Sequence, residues 1–150
     1  MNIYLDTSAL NRIFDDQSQP RIFLEASAML LVFGLIEKRI ISIVSSDVLA
    51  YENIRNPYAE RKIFVTSVLR KARMIQTLND SLAKRAQVIE VMGIKGLDAL
   101  HLACAERLKV DYFVTCDDRM IQKYTGTIVV VNPVELTMHV LQQEADNADS

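Results

Sequence analysis

Four short apolar runs punctuate the chain: NIYL (residues 2–5), IISIV (residues 40–44), DYFVT (residues 111–115) and TIVVV (residues 127–131). All are rich in β-branched or aromatic residues, and none alternates apolar with polar positions. Each therefore predicts a strand buried on both faces, as a parallel sheet covered by helices requires. Between them the apolar period lengthens to three and four residues. PRIFLEASAMLLVFGLIEKR opens on Pro20, which suits a first helical turn, and closes on Lys38 and Arg39, which complement the helix dipole. AERKIFVTSVLRKARM and SLAKRAQVIEVMG predict two more helices, the second stopped by Gly93. LDALHLACAERLKV sets Leu97, Leu100, Cys104 and Leu108 along one stripe, and a last helix begins near Pro133. The tail QQEADNADS has no apolar residue beyond two alanines and is expected to fray, giving one domain over residues 1–143 and a tail over 144–150. Strands alternating with helices predict an α/β three-layer sandwich, with a short, mainly parallel sheet flanked by helices.

Composition narrows the class. A chain of 150 residues, half of them apolar, sustains one core. The longest apolar run, ASAMLLVFGLI, is too short for a bilayer, which takes about 20 residues. Asp6 arrives too early for a signal peptide. Cys104 and Cys116 have no metal-like spacing and read as free thiols of a reducing cytoplasm. Net charge is −2, but residues 55–95 carry nine Lys/Arg against three acids, so that segment is +6 and the remainder −8. Such asymmetry fits either polyanion contact or a solvated face on surface helices.

In parallel sheets, ligands bind beyond the carboxyl ends of the strands. Asp6 directly follows NIYL, and Asp117 and Asp118 follow YFVTC. Asp98 lies in the first turn of the helix preceding that strand, and SSDVLAYEN after the second strand supplies Asp47 and Glu52. Each has an alternative role. Asp6 can cap a short helix, Asp98 can complement a helix dipole, and Asp118 can start the helix DRMIQKY. Asp47 reads as a helix-start residue outside the site, Glu52 can be a surface residue, and His101 reads as a packed or hydrogen-bonded histidine. Carboxylates converging on one rim repel one another unless a cation neutralises them, and an all-oxygen set suits Mg²⁺ or Mn²⁺.

LDTSAL at the N-terminus, a Glu in a helix after the second strand, and GLDALHLACAERLKVDYFVTCDDRMI together resemble the PIN-domain family, in particular the VapC-like toxin ribonucleases of bacterial toxin–antitoxin pairs. The resemblance extends over residues 1–141 and places an acidic quartet, catalytic and metal-binding, on Asp6, Glu52, Asp98 and Asp117. It makes Thr115 the hydroxyl that orders the site and gives Asp118 an outer or water-mediated contact. It also implies metal-dependent RNA cleavage, a homodimer, and an antitoxin partner. A carboxylate rim repels RNA, so the basic segment, with Arg70, Lys71 and Arg73, is the expected surface for the RNA backbone. With few aromatics in that segment (Tyr58 and Phe64), stacking readout of particular bases is not expected. Residues 20–39 form a candidate dimer or antitoxin surface, a core helix being the alternative.

Rival readings fail on particular residues. Ser8 stands where a haloacid-dehalogenase-type phosphatase needs a second Asp, and no strand ends in the Lys of a response-regulator receiver. No glycine precedes Gly34, which excludes a nucleotide-binding loop after the first strand. A catalytically inactive PIN-fold module that binds protein or RNA remains the alternative.

Overall fold

A computed structural model of the chain describes residues 1–149. In chain order the elements are β1 (Asn2–Leu5), α1 (Thr7–Asn11), a 3-10 turn (Arg12–Phe14), α2 (Pro20–Glu37), β2 (Ser42–Ser46), α3 (Asp47–Ile54) and α4 (Ala59–Leu69). There follow β3 (Ile75–Gln76), α5 (Asp80–Glu90), α6 (Leu97–Arg107), β4 (Tyr112–Val114), α7 (Asp118–Lys123), β5 (Val129–Val131) and α8 (Pro133–Asp149). The five strands form one parallel sheet in the order β3-β2-β1-β4-β5. The chain steps outward from β1 to β2 and β3, then returns to the other side of β1 for β4 and β5. That reversal opens a crevice at the carboxyl end of β1, where ligands bind in open parallel sheets.

β1 is central because its side chains can be buried on both faces. Ile3, Tyr4 and Leu5 are at most 1% exposed, and the Tyr4 ring stacks on Phe113 of β4 at 5.1 Å. Burying a side chain of this size contributes about 1.5–3 kcal/mol. The helix α2 buries Ala26, Met29, Val32 and Ile36 against the core, while Phe23, Leu24, Leu30 and Leu31 stay exposed. The segment is thus a core helix with a second, exposed apolar face. Among the described residues, no helix is long and apolar enough to cross a membrane.

The structure departs from the sequence reading at three places. The strand expected at 40–44 runs from Ser42 to Ser46, because Ser45 and Ser46 are extended and buried although polar. The fifth strand, β3, has two residues, too few for an apolar period to register. Residues 144–149, expected to fray, continue α8, whose Ala, Glu and Gln content favours helix and whose Gln142 side chain bonds Asp146 one turn on; Ser150 lies outside the described residues.

Candidate active site

Asp6 terminates β1 at the crevice, and its side chain does two things at once. Oδ1 caps α1, accepting the Ala9 N–H at 2.9 Å and the Ser8 hydroxyl at 2.6 Å. Neither bond uses Oδ2. The capping role and the site role therefore coexist in one carboxylate that is only 3% exposed. Burial pushes the Asp6 carboxyl up from its ordinary range, against the lowering effect of bonds from Ser8, Thr115 and the Ala9 N–H.

The two hydroxyls that follow Asp6 join the strand ends together. Ser8 Oγ, besides serving Asp6, accepts the Cys116 N–H at 3.0 Å and lies 3.3 Å from Thr115 Oγ1. Thr7 Oγ1 donates to Glu52 Oε1 at 2.8 Å. Glu52 reaches the rim from α3, which Ser46 caps through the Leu49 N–H at 3.2 Å. The same Glu52 oxygen is hydrogen-bonded to His101 Nε2, while His101 Nδ1 is 2.6 Å from Tyr4 Oη, and Tyr4 Oη is 2.6 Å from Ser46 Oγ. Burial alone would raise Glu52, but the bonds from His101 and Thr7 outweigh it and hold the carboxyl below its usual range. His101 is thus a hydrogen-bonded buried histidine, as its place in the sequence suggested, yet its partner is a rim carboxylate.

Asp98 sits in the first turn of α6, two residues after Gly96. That glycine holds φ 59° and ψ −129°, a conformation that a residue with a Cβ resists, so it sets the angle at which α6 enters the rim. Asp117 caps α7, accepting the Arg119 N–H at 2.9 Å, and its own N–H donates to Thr115 Oγ1 at 3.1 Å. Asp118 is the first residue of that helix, as expected, and Asp117 is its cap. Both Asp118 oxygens are taken by the Arg21 guanidinium from α2. Thr115 is fully buried and orders Asp6, Ser8 and Asp117 from beneath. Asp47, left outside the site, accepts the Leu78 N–H at 3.0 Å.

The quartet is electrostatically one unit. Burial pushes the half-buried Asp98 up from 3.8 to about 6, with Asp6, Glu52 and Asp117 adding repulsion and His101 opposing it. Among the described residues, no three acidic, His or Cys side chains stand close enough to enclose an ion by themselves. The donor set still fits a hard cation such as Mg²⁺. That ion usually keeps several waters and is held by one or two carboxylates plus substrate phosphate, not by a closed protein cage. The carboxylates of Asp6 and Asp98, with Glu52 Oε2 and Asp117 alongside, are the oxygens that would hold it.

Basic residues divide between the two ends of the sheet. One cavity beside the quartet, about 280 Å³, is lined by Lys95, Asp98, Asp117 and Arg119 among others. A second, about 390 Å³, joins Thr7, Ser8 and Glu52 to Arg55, Tyr58 and Arg61. Arg70, Lys71 and Arg73 are not brought to this rim. The helix α4 starts at the rim and carries the chain to the amino ends of the strands. There Arg73 N–H donates to the Ile43 carbonyl, its guanidinium lies 3.5 Å from Asn2 Oδ1, and Lys71 pairs with Glu37. A count of charges along the chain does not register this reversal.

The PIN domain family matches residues 3–126. The chain belongs to that family. PIN domains are generally nucleases that typically use divalent metals. Among solved structures, one similar chain belongs to VapBC2 from Rickettsia felis bound to a DNA fragment from their promoter. It is 14% identical with a TM-score of 0.55, over 88% of this chain and 98% of that one. No curated protein matches the chain.

Proposed function

We propose that the protein is an endoribonuclease dependent on Mg²⁺ or Mn²⁺ that hydrolyses RNA phosphodiester bonds, acting as the toxin of a type II toxin–antitoxin pair. The observation that carries this reading is the grouping of Asp6, Glu52, Asp98 and Asp117, where burial first and the repulsion of the other three carboxylates second raise Asp98 to about 6. A module that only bound other molecules would have no use for such a cluster. A divalent cation held there supplies charge neutralisation at the phosphoryl oxygens and a more acidic water. Asp6 and Asp98 would hold that cation, while Asp117 and Glu52 would complete the shell or orient water. Ser8, Thr7 and Thr115 keep the carboxylates in register, and His101 fixes one oxygen of Glu52.

The toxin assignment is supported by the fold shared with a chain of VapBC2. We assign the exposed stripe Phe23, Leu24, Leu30 and Leu31 on α2 to a cognate antitoxin or a second copy of the chain, in a cytoplasmic homodimer. Sedimentation as a monomer at micromolar concentration counts against the dimer.

The deciding experiment incubates the purified protein with end-labelled single-stranded RNA in Mg²⁺ or Mn²⁺, against EDTA, with Asp98→Asn beside it. Cation-dependent cleavage lost in the variant is the expected result. Absence of cleavage for every RNA, together with absence of cation binding by calorimetry, places the protein among binding modules.

A further inference from the structure

The connection between α3 and α4 carries a feature that the carboxylate chemistry does not use. Asn56, Pro57 and Tyr58 form a braced turn. The Tyr58 N–H donates to Asn56 Oδ1 at 3.1 Å, and Asn56 Nδ2 donates to Asn11 Oδ1 at 3.1 Å. Pro57 restricts the backbone further by fixing its own φ. The turn presents the Tyr58 ring at the wall of the 390 Å³ cavity with 60% of its surface exposed.

A lone exposed aromatic is ordinary. Three relationships set Tyr58 apart. Its cavity is continuous with the carboxylate rim, since Thr7, Ser8 and Glu52 line the same space. The ring is backed by the Arg61 guanidinium at 4.9 Å, which is itself held by Asp15 Oδ1 and the Phe14 carbonyl, both at 3.0 Å. Arg55 lies along the same cavity, 4.9 Å from the Tyr51 ring, and no carboxylate among the described residues pairs with it. A fixed aromatic face and an unpaired cation beside a phosphodiester-cleaving rim are the two elements that single-stranded nucleic-acid sites combine. The volume falls within the roughly 300–1,000 Å³ of small-molecule sites.

We infer that this groove is a stacking subsite for an unpaired nucleotide of the RNA, neighbouring the one whose phosphate lies over the carboxylates. The base stacks on Tyr58 and Arg55 meets a backbone phosphate. The inference rests on the ribonuclease reading and deepens it by assigning Tyr58 and Arg55 to a base-binding position. The RNA must be single-stranded at this point, because bases in an A-form duplex are stacked on one another and out of reach of a side chain. Every base has a π face, so the subsite selects strandedness and tolerates sequence.

The chain contains no tryptophan, so Tyr58→Trp introduces a single indole reporter. In an Asp98→Asn background with Mg²⁺, a short unpaired oligoribonucleotide is expected to quench that fluorescence. The same sequence as a duplex, and an abasic oligomer of equal length, are expected not to. Tyr58→Ala alone should weaken binding of unpaired RNA about 10-fold by fluorescence anisotropy, with Tyr58→Phe near the unsubstituted protein. If RNA is bound and cleaved while the indole signal stays flat and Tyr58→Ala binds normally, the subsite is overturned and the nuclease reading stands. Equal quenching by duplex overturns the selection for single strands. If the unsubstituted protein neither binds nor cleaves any RNA, the nuclease reading fails and the subsite fails with it.

Discussion

His101 Nε2 and Thr7 Oγ1 converge on one oxygen of Glu52, and the far side of the His101 ring is held by Tyr4. Tyr4 and His101 are at most 1% exposed, so no bulk water replaces a lost partner. The relay Ser46–Tyr4–His101 therefore fixes the rotamer of a carboxylate at the rim from inside the core. Tyr4→Phe keeps the stack on Phe113 and removes only the hydroxyl. It leaves two buried polar groups short of a partner, at a cost of about 1–3 kcal/mol. We expect a lower melting temperature and a turnover rate reduced about 10- to 100-fold, the usual effect of removing a partner that orients a site ligand. KM for RNA should change little in steady-state kinetics. A rise in KM at unchanged turnover would mean that Tyr4 acts on the groove and not on Glu52.

Asp98 makes the metal-free protein sensitive to pH in a defined direction. Its folded pKa of about 6 stands above the ordinary 3.8, so between those values the folded protein retains a proton that the unfolded chain has released. This contribution to stability is fully present below the unfolded pKa and is lost as pH rises through about 6. Asp98→Asn removes the loss. The full shift corresponds to about 3 kcal/mol, and screening at a half-exposed carboxylate reduces the expected gain at neutral pH to about 1 kcal/mol. In EDTA the variant should melt about 2–4 °C higher than the unsubstituted protein at pH 7.5 and level with it at pH 4. A constant difference across that range would assign the gain to packing.

The alternation of apolar runs and helical periods made the architecture legible, because strands buried on both faces must be continuously apolar. β1 is readable to its ends for that reason. β2 is offset because Ser46 is extended for the sake of a hydrogen bond to Tyr4 across the sheet, a cause that no local pattern contains. Asp6 and Asp98 were legible as rim residues from their positions at a strand end and a helix start. The partnership of His101 with Glu52 was not, since it joins residues 49 positions apart and depends on Tyr4 from a third element. The position of Arg70, Lys71 and Arg73 was not legible for a related reason: net charge has no direction, whereas a helix has two ends.

A divalent cation should relieve the repulsion that adds to burial in raising Asp98, so it should stabilise the fold. At ten times its dissociation constant the ion contributes about 1.4 kcal/mol, which raises the melting temperature by roughly 3–6 °C. Differential scanning fluorimetry in Mg²⁺ or Mn²⁺ against EDTA measures this directly. Asp6→Asn and Asp98→Asn should show a smaller shift or none. An equal shift in all three proteins would place the bound ion elsewhere on the surface.

The two groups of bases should separate in a salt titration. Arg55 lines the cavity that contains Glu52, whereas Arg70, Lys71 and Arg73 lie at the amino ends of the strands. Each phosphate contact to a single strand contributes about 0.7 to the slope of log K against log salt. Arg55→Ala should lower that slope by about 0.7 for an oligomer of a few nucleotides. The triple substitution of Arg70, Lys71 and Arg73 by alanine should leave both the slope and the cleavage rate for that oligomer unchanged. A longer RNA that loses slope in the triple variant would show that the strand wraps along α4 to the opposite end. A short oligomer that loses slope in the triple variant and keeps it in Arg55→Ala would reverse the assignment of the binding surface.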